Sequence, residues 1–318
     1  MSELEILPPL LIPLPGNDDM AEKLADRLGA ELGKMATRQF PDEETYLRFD
    51  TSPAGRSVGL VCTLDRPDPK FLPLIFAASA ARRLGASRVG LIAPYLCYMR
   101  QDKSFQPGEA ITSATFARSL SREIDWLATV DPHLHRYASL DAIYSIPTRA
   151  IAAAPAVAQW IRGTVEQPLL IGPDIESEQW VSNLAELVGA PYQVLRKERF
   201  GDRDVRISLP DTKGFGDRTP VLVDDIVSSA QTMIETARRL HASGLPRPIC
   251  VAVHALFAGD SFAKLKKNSG RIVTTNTVVH FSNAIDISEP LAAAVAEFLQ
   301  GSEPGRQKQM RRRYRGFQ

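Results

Sequence analysis

The chain has 318 residues, 44% of them hydrophobic and 24% charged, which excludes a disordered chain and gives room for two globular domains. Lys and Arg number 38 against 37 Asp and Glu, a net charge of +1, so the broad basic surface of a nucleic-acid-coating protein is absent. Three widely spaced cysteines, Cys62, Cys97 and Cys250, fit neither a disulfide framework nor a paired-cysteine metal site, and free buried thiols are expected. The opening MSELEILPPLLIPLPGN carries four prolines in its apolar run and no basic region ahead of it, unlike a signal peptide. No run approaches the ~20 apolar residues of a membrane span. A soluble, cytoplasmic chain without membrane or nucleic-acid partners is expected.

In chain order, the nearly continuous apolar run from Ser57 to Leu64 predicts a strand buried on both faces, which needs no polar alternation. Phe71 to Leu84 has helical spacing and stops at Gly85, a residue suited to ending a helix. Arg88 to Pro94 predicts the next strand. Units of this kind predict parallel sheets covered by helices. The phrase ARRLGAS, from Ala81 to Ser87, returns as ARRLHAS from Ala237 to Ser243. Each copy leads into an apolar strand and follows a strand that runs into acids, at Asp65 and at Asp225. The expected fold class is therefore α/β, two similar domains with mainly parallel sheets flanked by helices. Their expected limits are residues 1–150 and 151–302, the boundary falling in IPTRAIAAAP between Pro147 and Pro155, with a basic tail at 303–318. That tail reads as solvated, or as a contact for an acidic neighbour.

The segment from Thr219 to Thr232 says most about chemistry. A buried strand ends in Asp224 and Asp225, and the turn Ser228-Ser229-Ala230-Gln231-Thr232 opens a helical pattern. Adjacent strand side chains point to opposite sides, so the two acids can reach different partners. A helix N-terminus offers free N–H groups and a positive dipole end to a phosphate. Ser228, Ser229 and Thr232 add hydroxyls. Acids for sugar hydroxyls beside a phosphate cradle describe a sugar-phosphate site at the carboxyl end of a sheet. An Asp-terminated strand before a Ser-capped helix is the plainer alternative.

This segment resembles the phosphoribosyl-diphosphate motif of type I phosphoribosyltransferases. From about Leu14 to about Val295 the chain is similar to one branch of that fold, ribose-phosphate diphosphokinase (PRPP synthetase). The matching segments, in matching order, include Phe40-Pro-Asp-Glu-Glu44, Tyr98-Met-Arg-Gln-Asp102, Thr129-Val-Asp-Pro-His133, Gly172-Pro-Asp174 and Lys197-Glu-Arg199. The resemblance implies transfer of the β,γ-diphosphoryl group of ATP to the 1-hydroxyl of ribose 5-phosphate, giving PRPP and AMP. It implies Mg2+, because such transfer relies on charge neutralisation across the phosphates. By the same resemblance His133 and Asp174 contact the metal, although histidine is an unusual ligand for so hard a cation. The plain alternative for His133 is a strand-end histidine bonded to backbone. His135 would share its face if the strand continued.

The resemblance further implies that Lys197 and Arg199 supply positive charge to the transferred group from a mobile loop. ATP would be held by Phe40, Asp42, Glu43, Glu44, Arg100 and Gln101. Ribose 5-phosphate would meet Arg199, Asp224, Asp225, Ser228, Ser229, Ala230, Gln231 and Thr232. A homodimer or higher homo-oligomer is implied, in which Phe40 stacks on adenine in a neighbouring chain's site. The chain also departs from the pattern. Ala230 and Gln231 stand where the phosphate loop usually has two glycines, and must either keep to ordinary backbone regions or leave the loop a poorer phosphate binder. Glu43 replaces another glycine. KSFQPGEAIT after Asp102 resembles the archaeal-like branch, in which allosteric inhibition by ADP is not expected. These departures leave open a catalytically weak homologue serving as a regulatory or binding subunit. An ordinary phosphoribosyltransferase would need only one such domain.

Overall fold

The computed structural model describes residues 7–195, 197–199, 205–207 and 217–300, so the basic tail lies outside the described residues. β1 (Leu10–Pro13) and α1 (Asp18–Leu28) lead to β2 (Glu31–Leu32) and an antiparallel hairpin of β3 (Met35–Gln39) and β4 (Thr45–Phe49). β5 (Ser57–Val61), α2 (Asp68–Arg83), β6 (Arg88–Ala93), α3 (Thr112–Glu123), β7 (Trp126–Val130), β8 (Thr148–Ile151) and α4 (Ala154–Thr164) follow. The same order then recurs. β9 (Pro168–Gly172), α5 (Glu178–Val188) and β10 (Tyr192–Val194) precede a second antiparallel hairpin, β11 (Lys197–Arg199) and β12 (Val205–Ile207). β13 (Thr219–Val227), α6 (Gln231–Ala242), β14 (Ile249–Ala255), α7 (Ser261–Asn268), β15 (Arg271–Thr275), β16 (Asn283–Ile285) and α8 (Ser288–Gln300) complete it.

The strands form two six-stranded sheets, ordered β2-β1-β5-β6-β7-β8 and β10-β9-β13-β14-β15-β16. Position for position these are one arrangement, and the neighbours within each sheet run parallel. The repeated seven-residue phrases end α2 and α6, which are equivalent helices, so the expected duplication and fold class hold. Burial explains the unbroken apolar strands. β7 is covered throughout, and β5 and β6 expose only their first residue in part.

The last helix of each half packs on the other half's sheet. α8 lies against α1, β7 and β8, while α4 lies against α5 and β16. Phe298 of α8 stacks on Trp126 with ring centroids 5.0 Å apart and 14° between planes. Trp126 in turn lies across Gly90, where a Cβ would run into its indole ring. Arg88 donates to the Phe298 carbonyl at 3.0 Å, and Arg149 pairs with Glu297 at 2.9 Å. On the other side, the Arg271 guanidinium sits 5.1 Å from the Trp160 ring of α4, and Arg162 donates to the Leu187 carbonyl at 3.1 Å. The result is one continuous apolar core between the sheets, reaching from Leu11 and Ile92 through Val157 and Leu291 to Val221 and Val251. Separate clusters under α2 and α3, and under α6 and α7, cover the outer faces. Cys62, Cys97 and Cys250 are buried and free, as expected. No helix among the described residues is long and apolar enough to cross a membrane.

Candidate active site

β13 carries Asp224 and Asp225 near its carboxyl end and continues to Val227, slightly past the acids. The two carboxyls stay in contact rather than pointing apart: they share a hydrogen bond, and Asp225 N–H donates to Asp224 Oδ1 at 3.0 Å. Burial first, then the charges of Asp225 and Asp174, hold the Asp224 carboxyl well above its ordinary range. Burial would raise Asp225 too, but its hydrogen bond with His133 and the pull of that histidine outweigh it and keep Asp225 low. His133 comes from the other half of the molecule. Its Nδ1 lies 3.0 Å from Asp225 Oδ2, so the cleft closes across the two sheets.

β7 ends at Val130, and His133 and His135 sit in the loop that follows rather than on a continued strand. Their rings nevertheless come together, with centroids 3.9 Å apart. Two anchors position this loop. Arg136 Nη1 bonds both oxygens of the buried Asp102, at 2.9 and 3.1 Å, while Tyr137 donates to the Asp102 carbonyl at 3.2 Å. At the loop's root His254, buried on β14, has Nε2 3.2 Å from the Asp131 carbonyl and Nδ1 2.9 Å from the Thr277 hydroxyl. A carbonyl only accepts, so Nε2 carries the proton, while Nδ1 is partnered by the Thr277 hydroxyl, which also reaches the Val253 carbonyl at 3.0 Å. A neutral imidazole is thereby satisfied, and burial pushes its pKa down to about 4.

The turn after β13 keeps to ordinary backbone regions only in part. Ala230 takes φ 57°, the left-handed region, rather than an ordinary one, while Gln231 opens α6. The chain must reverse from strand to helix within this turn, and the closure overrides the methyl group's preference. The Ser228 carbonyl is held by Ala258 N–H at 3.0 Å and by the Ser261 hydroxyl at 2.9 Å, which fixes the turn from below. Ser229 and Gln231 are exposed at its rim and Thr232 is half-buried. Glu43, the other residue standing for glycine, also adopts positive φ, at 68°.

Arg100 and Gln101 line a cleft of about 320 Å³ that also touches Tyr95, Tyr98 and, from the second half, Leu256. Burial raises the Tyr95 phenol, with Arg100 pulling the other way. Phe40, Asp42, Glu43 and Glu44 do not line this cleft. They form the turn between β3 and β4, where Phe40 is 40% exposed rather than a core aromatic. Arg38 sits in the corner of two rings set edge to face there, 4.5 Å from the Phe40 centroid and 4.4 Å from that of Tyr46. Lys197 and Arg199 lie on β11, in register with Ile207 and Val205. Their side chains lie outside the described residues.

Asp174 follows β9, and its charge reaches Asp224. His133 thus meets Asp225 at 3.0 Å, while Asp174 acts on Asp224 through its charge. Mutual repulsion of three carboxylates is what a divalent cation relieves, so these residues fit Mg2+. Sequence reading missed the Asp102–Arg136 fork, the Arg38 contacts with Phe40 and Tyr46, and His254. Only His254 left a signal, a lone polar residue in the buried run Ile249–Ala255 beside the acidic strand.

Paired parallel sheets of one strand order, with acids and a helix-opening turn at the carboxyl end of the second, define a duplicated chain of the phosphoribosyltransferase fold class. Residues 139–289 match the profile of the phosphoribosyl transferase domain, and residues 10–123 match that of the N-terminal domain of ribose phosphate pyrophosphokinase. The chain is 32% identical over 280 residues to a ribose-phosphate pyrophosphokinase of Methanopyrus kandleri, covering 87% of this chain and 94% of that one. It is also 32% identical over 285 residues to one of Sulfurisphaera tokodaii, covering 86% and 96%. It therefore belongs to the ribose-phosphate pyrophosphokinase family, a family of enzymes. The fold is similar to that of phosphoribosylpyrophosphate synthetase from Mycobacterium smegmatis, with TM-score 0.80 and 22% identity, covering 91% of this chain and 98% of that one.

Proposed function

We propose that this chain transfers the β,γ-diphosphoryl group of ATP to the 1-hydroxyl of ribose 5-phosphate in the presence of Mg2+, giving PRPP and AMP. The observation that carries this reading is the convergence at the end of β13. A helix-opening turn, a pair of acids whose carboxyls are shifted in opposite directions, and a histidine from the other half meet at one strand end. In this reading Ser228 to Thr232 cradle the 5-phosphate through hydroxyls and the N-terminus of α6. Asp225, kept ionised by His133, accepts from the ribose hydroxyls and orients the sugar. Arg100 and Gln101 hold ATP in the adjoining cleft. His133 and Asp174, with Asp224 beside them, would hold Mg2+, which when bound neutralises the phosphate charge. Lys197 and Arg199 would add positive charge as the transferred group moves. Phe40 would complete the adenine site of a neighbouring chain, which requires at least a homodimer. The division of the two domains is proposed at residues 150/151, at the end of β8, so that α4, which the repeat assigns to the first half, is counted with the second half it packs against.

The test is chemical. Purified protein given ATP, Mg2+ and ribose 5-phosphate should release AMP in equal amount to PRPP. ADP as the product, or no product, removes this reading. One observation favours the alternative of a weak regulatory homologue, namely the Ala230 methyl group in the phosphate turn. Calorimetric binding of ribose 5-phosphate without turnover would select it.

A further inference from the structure

A pocket of about 150 Å³ lies between the last turns of α6 and α7, on the second half of the molecule. Arg238, His241, Arg247 and Lys267 line it, with Asn268 and two alanines, and no carboxylate does. The one acid of α6, Glu235, pairs with Arg239 at 2.7 Å, and Asp260, ahead of α7, pairs with Lys264 at 2.9 Å. Among the described residues Arg238, Arg247 and Lys267 form no ion pair. Basic residues at a helix C-terminus ordinarily serve its open carbonyls. Here other groups take that place. Ser243 N–H donates to the Arg239 carbonyl at 3.0 Å, Ser243 Oγ to that of Leu240 at 2.7 Å, and Gly244 N–H to that of His241 at 3.1 Å. At the end of α7, Ser269 Oγ donates to the Leu265 carbonyl at 2.9 Å. The cations are therefore not what closes these helices. The walls are also fixed. Asn268 donates to the Lys264 carbonyl at 2.8 Å and accepts from Arg238 Nε at 3.3 Å, which leaves the Arg238 Nη groups without a partner among the described residues. Gly270 N–H donates to the Pro248 carbonyl at 2.9 Å, and a Cβ there would come within 3.1 Å of the Arg247 carbonyl, so the chain leaving α7 is pressed against the Arg247 segment.

Three permanent like charges around one concavity repel each other, and an anion relieves that repulsion. The planar fork of arginine and the ammonium of lysine suit phosphate oxygens, and such charge-assisted bonds are roughly twice as strong as neutral ones. His241 adds a further donor when protonated. No aromatic side chain lines the pocket, and no aliphatic one larger than alanine, so nothing there would hold a base. Its volume is under half that of the cleft beside Arg100, about 320 Å³. We propose that this pocket binds a phosphate-class dianion, inorganic phosphate or diphosphate, at a site apart from the reaction. It lies roughly 10–16 Å along α6 from the turn that opens the helix, at 1.5 Å per residue. The site stands on its own geometry and does not rest on the function proposed above.

Inorganic phosphate is the probe. Titrated into the full-length chain, with chloride holding the ionic strength constant, it should fill a saturable site by calorimetry. Arg247→Gln and Lys267→Gln should each weaken that site about tenfold or more, the loss expected when a hydrogen bond to a charged group is removed. Both residues are exposed, so both variants should keep the parent Tm. Thr232→Val, in the turn proposed for ribose 5-phosphate, should leave this site unchanged. The pocket is overturned if the parent binds no phosphate, or if the chain carrying both Arg247→Gln and Lys267→Gln binds it as tightly as the parent. It is also overturned if Thr232→Val alone abolishes all phosphate binding. Failure to make AMP would remove the proposed function while leaving the Arg247-dependent phosphate site intact, so the two failures are distinct.

Discussion

Glu43 and Ala230 hold a backbone that their side chains resist. At φ 68° and 57° each forgoes the right-handed region, a cost of roughly 1–2 kcal/mol for a residue with a Cβ. Ala230→Gly should remove that cost. The greater freedom of glycine in the unfolded chain takes back about 0.5–1 kcal/mol, so the expected gain is up to about 1 kcal/mol. Tm should rise and the KM for ribose 5-phosphate should fall, as the methyl leaves the phosphate turn. An unchanged Tm and KM would show that the turn carries no strain. His254 gives a pH prediction. Burial lowers its folded pKa from 6.5 to about 4. Between those values the unfolded chain binds a proton that the folded chain refuses. The stability is complete above 6.5 and is lost as pH falls toward about 4, by on the order of 3 kcal/mol. Asp131, which burial pushes up to about 6, takes up a proton more readily when folded and opposes that loss. The His254→Gln variant should therefore lose less stability than the parent over that interval in denaturant titrations. Parallel profiles would rule out His254 as the buried base.

At the scale of elements, the loop after β7 matters most because it carries His133 ahead of a single 3-10 turn at Leu140–Ala142. Its position depends on the fork from Arg136 to Asp102, whose side chain is 1% exposed. Asp102→Asn should weaken that fork and cost about 1–3 kcal/mol, the range for losing a charged hydrogen bond with one partner half in water. A merely structural role would end there. If the fork also positions His133, the Mg2+ concentration for half-maximal rate should rise while the KM for ATP holds. An unchanged Mg2+ requirement would confine Asp102 to stability. The resemblance identified this loop through His133, but its support came from residues on either side of the segment that no spacing pattern connects.

At the scale of the molecule, the exchange of α4 and α8 makes the two halves depend on each other. Phe298 is 7% exposed and stacked on Trp126. Phe298→Ala should cost about 3–5 kcal/mol, as buried aromatic truncations do. Because the core is continuous between the sheets, calorimetry should record one transition moved to lower temperature. Two separated transitions would mean that the halves melt independently. The proposed assembly gives the other prediction at this scale. Phe40→Ala should raise the KM for ATP without disturbing its own fold. Mixed with Lys197→Ala, whose turnover should be down roughly 10²–10³-fold if its charge acts on the transferred group, it should form hybrids with some activity restored. No recovery, with subunit exchange demonstrated, would confine Phe40 to its own chain.

Contiguous residues were enough to determine the parallel strands, the helix ends, the duplication and an acid pair followed by a helix-opening turn. Unbroken apolar runs, helical spacing and a repeated phrase each report on a short stretch of chain, and a strand's covering or a turn's chemistry is settled locally. Tertiary structure alone decided that α4 and α8 change places, that Ala230 goes left-handed, and that His133 meets Asp225 rather than backbone. His133 and Asp225 are 92 residues apart, and Phe298 and Trp126 lie in different halves. Such contacts depend on how whole faces fit once the sheets are formed, and the sum of that packing outweighs what any single residue prefers by itself.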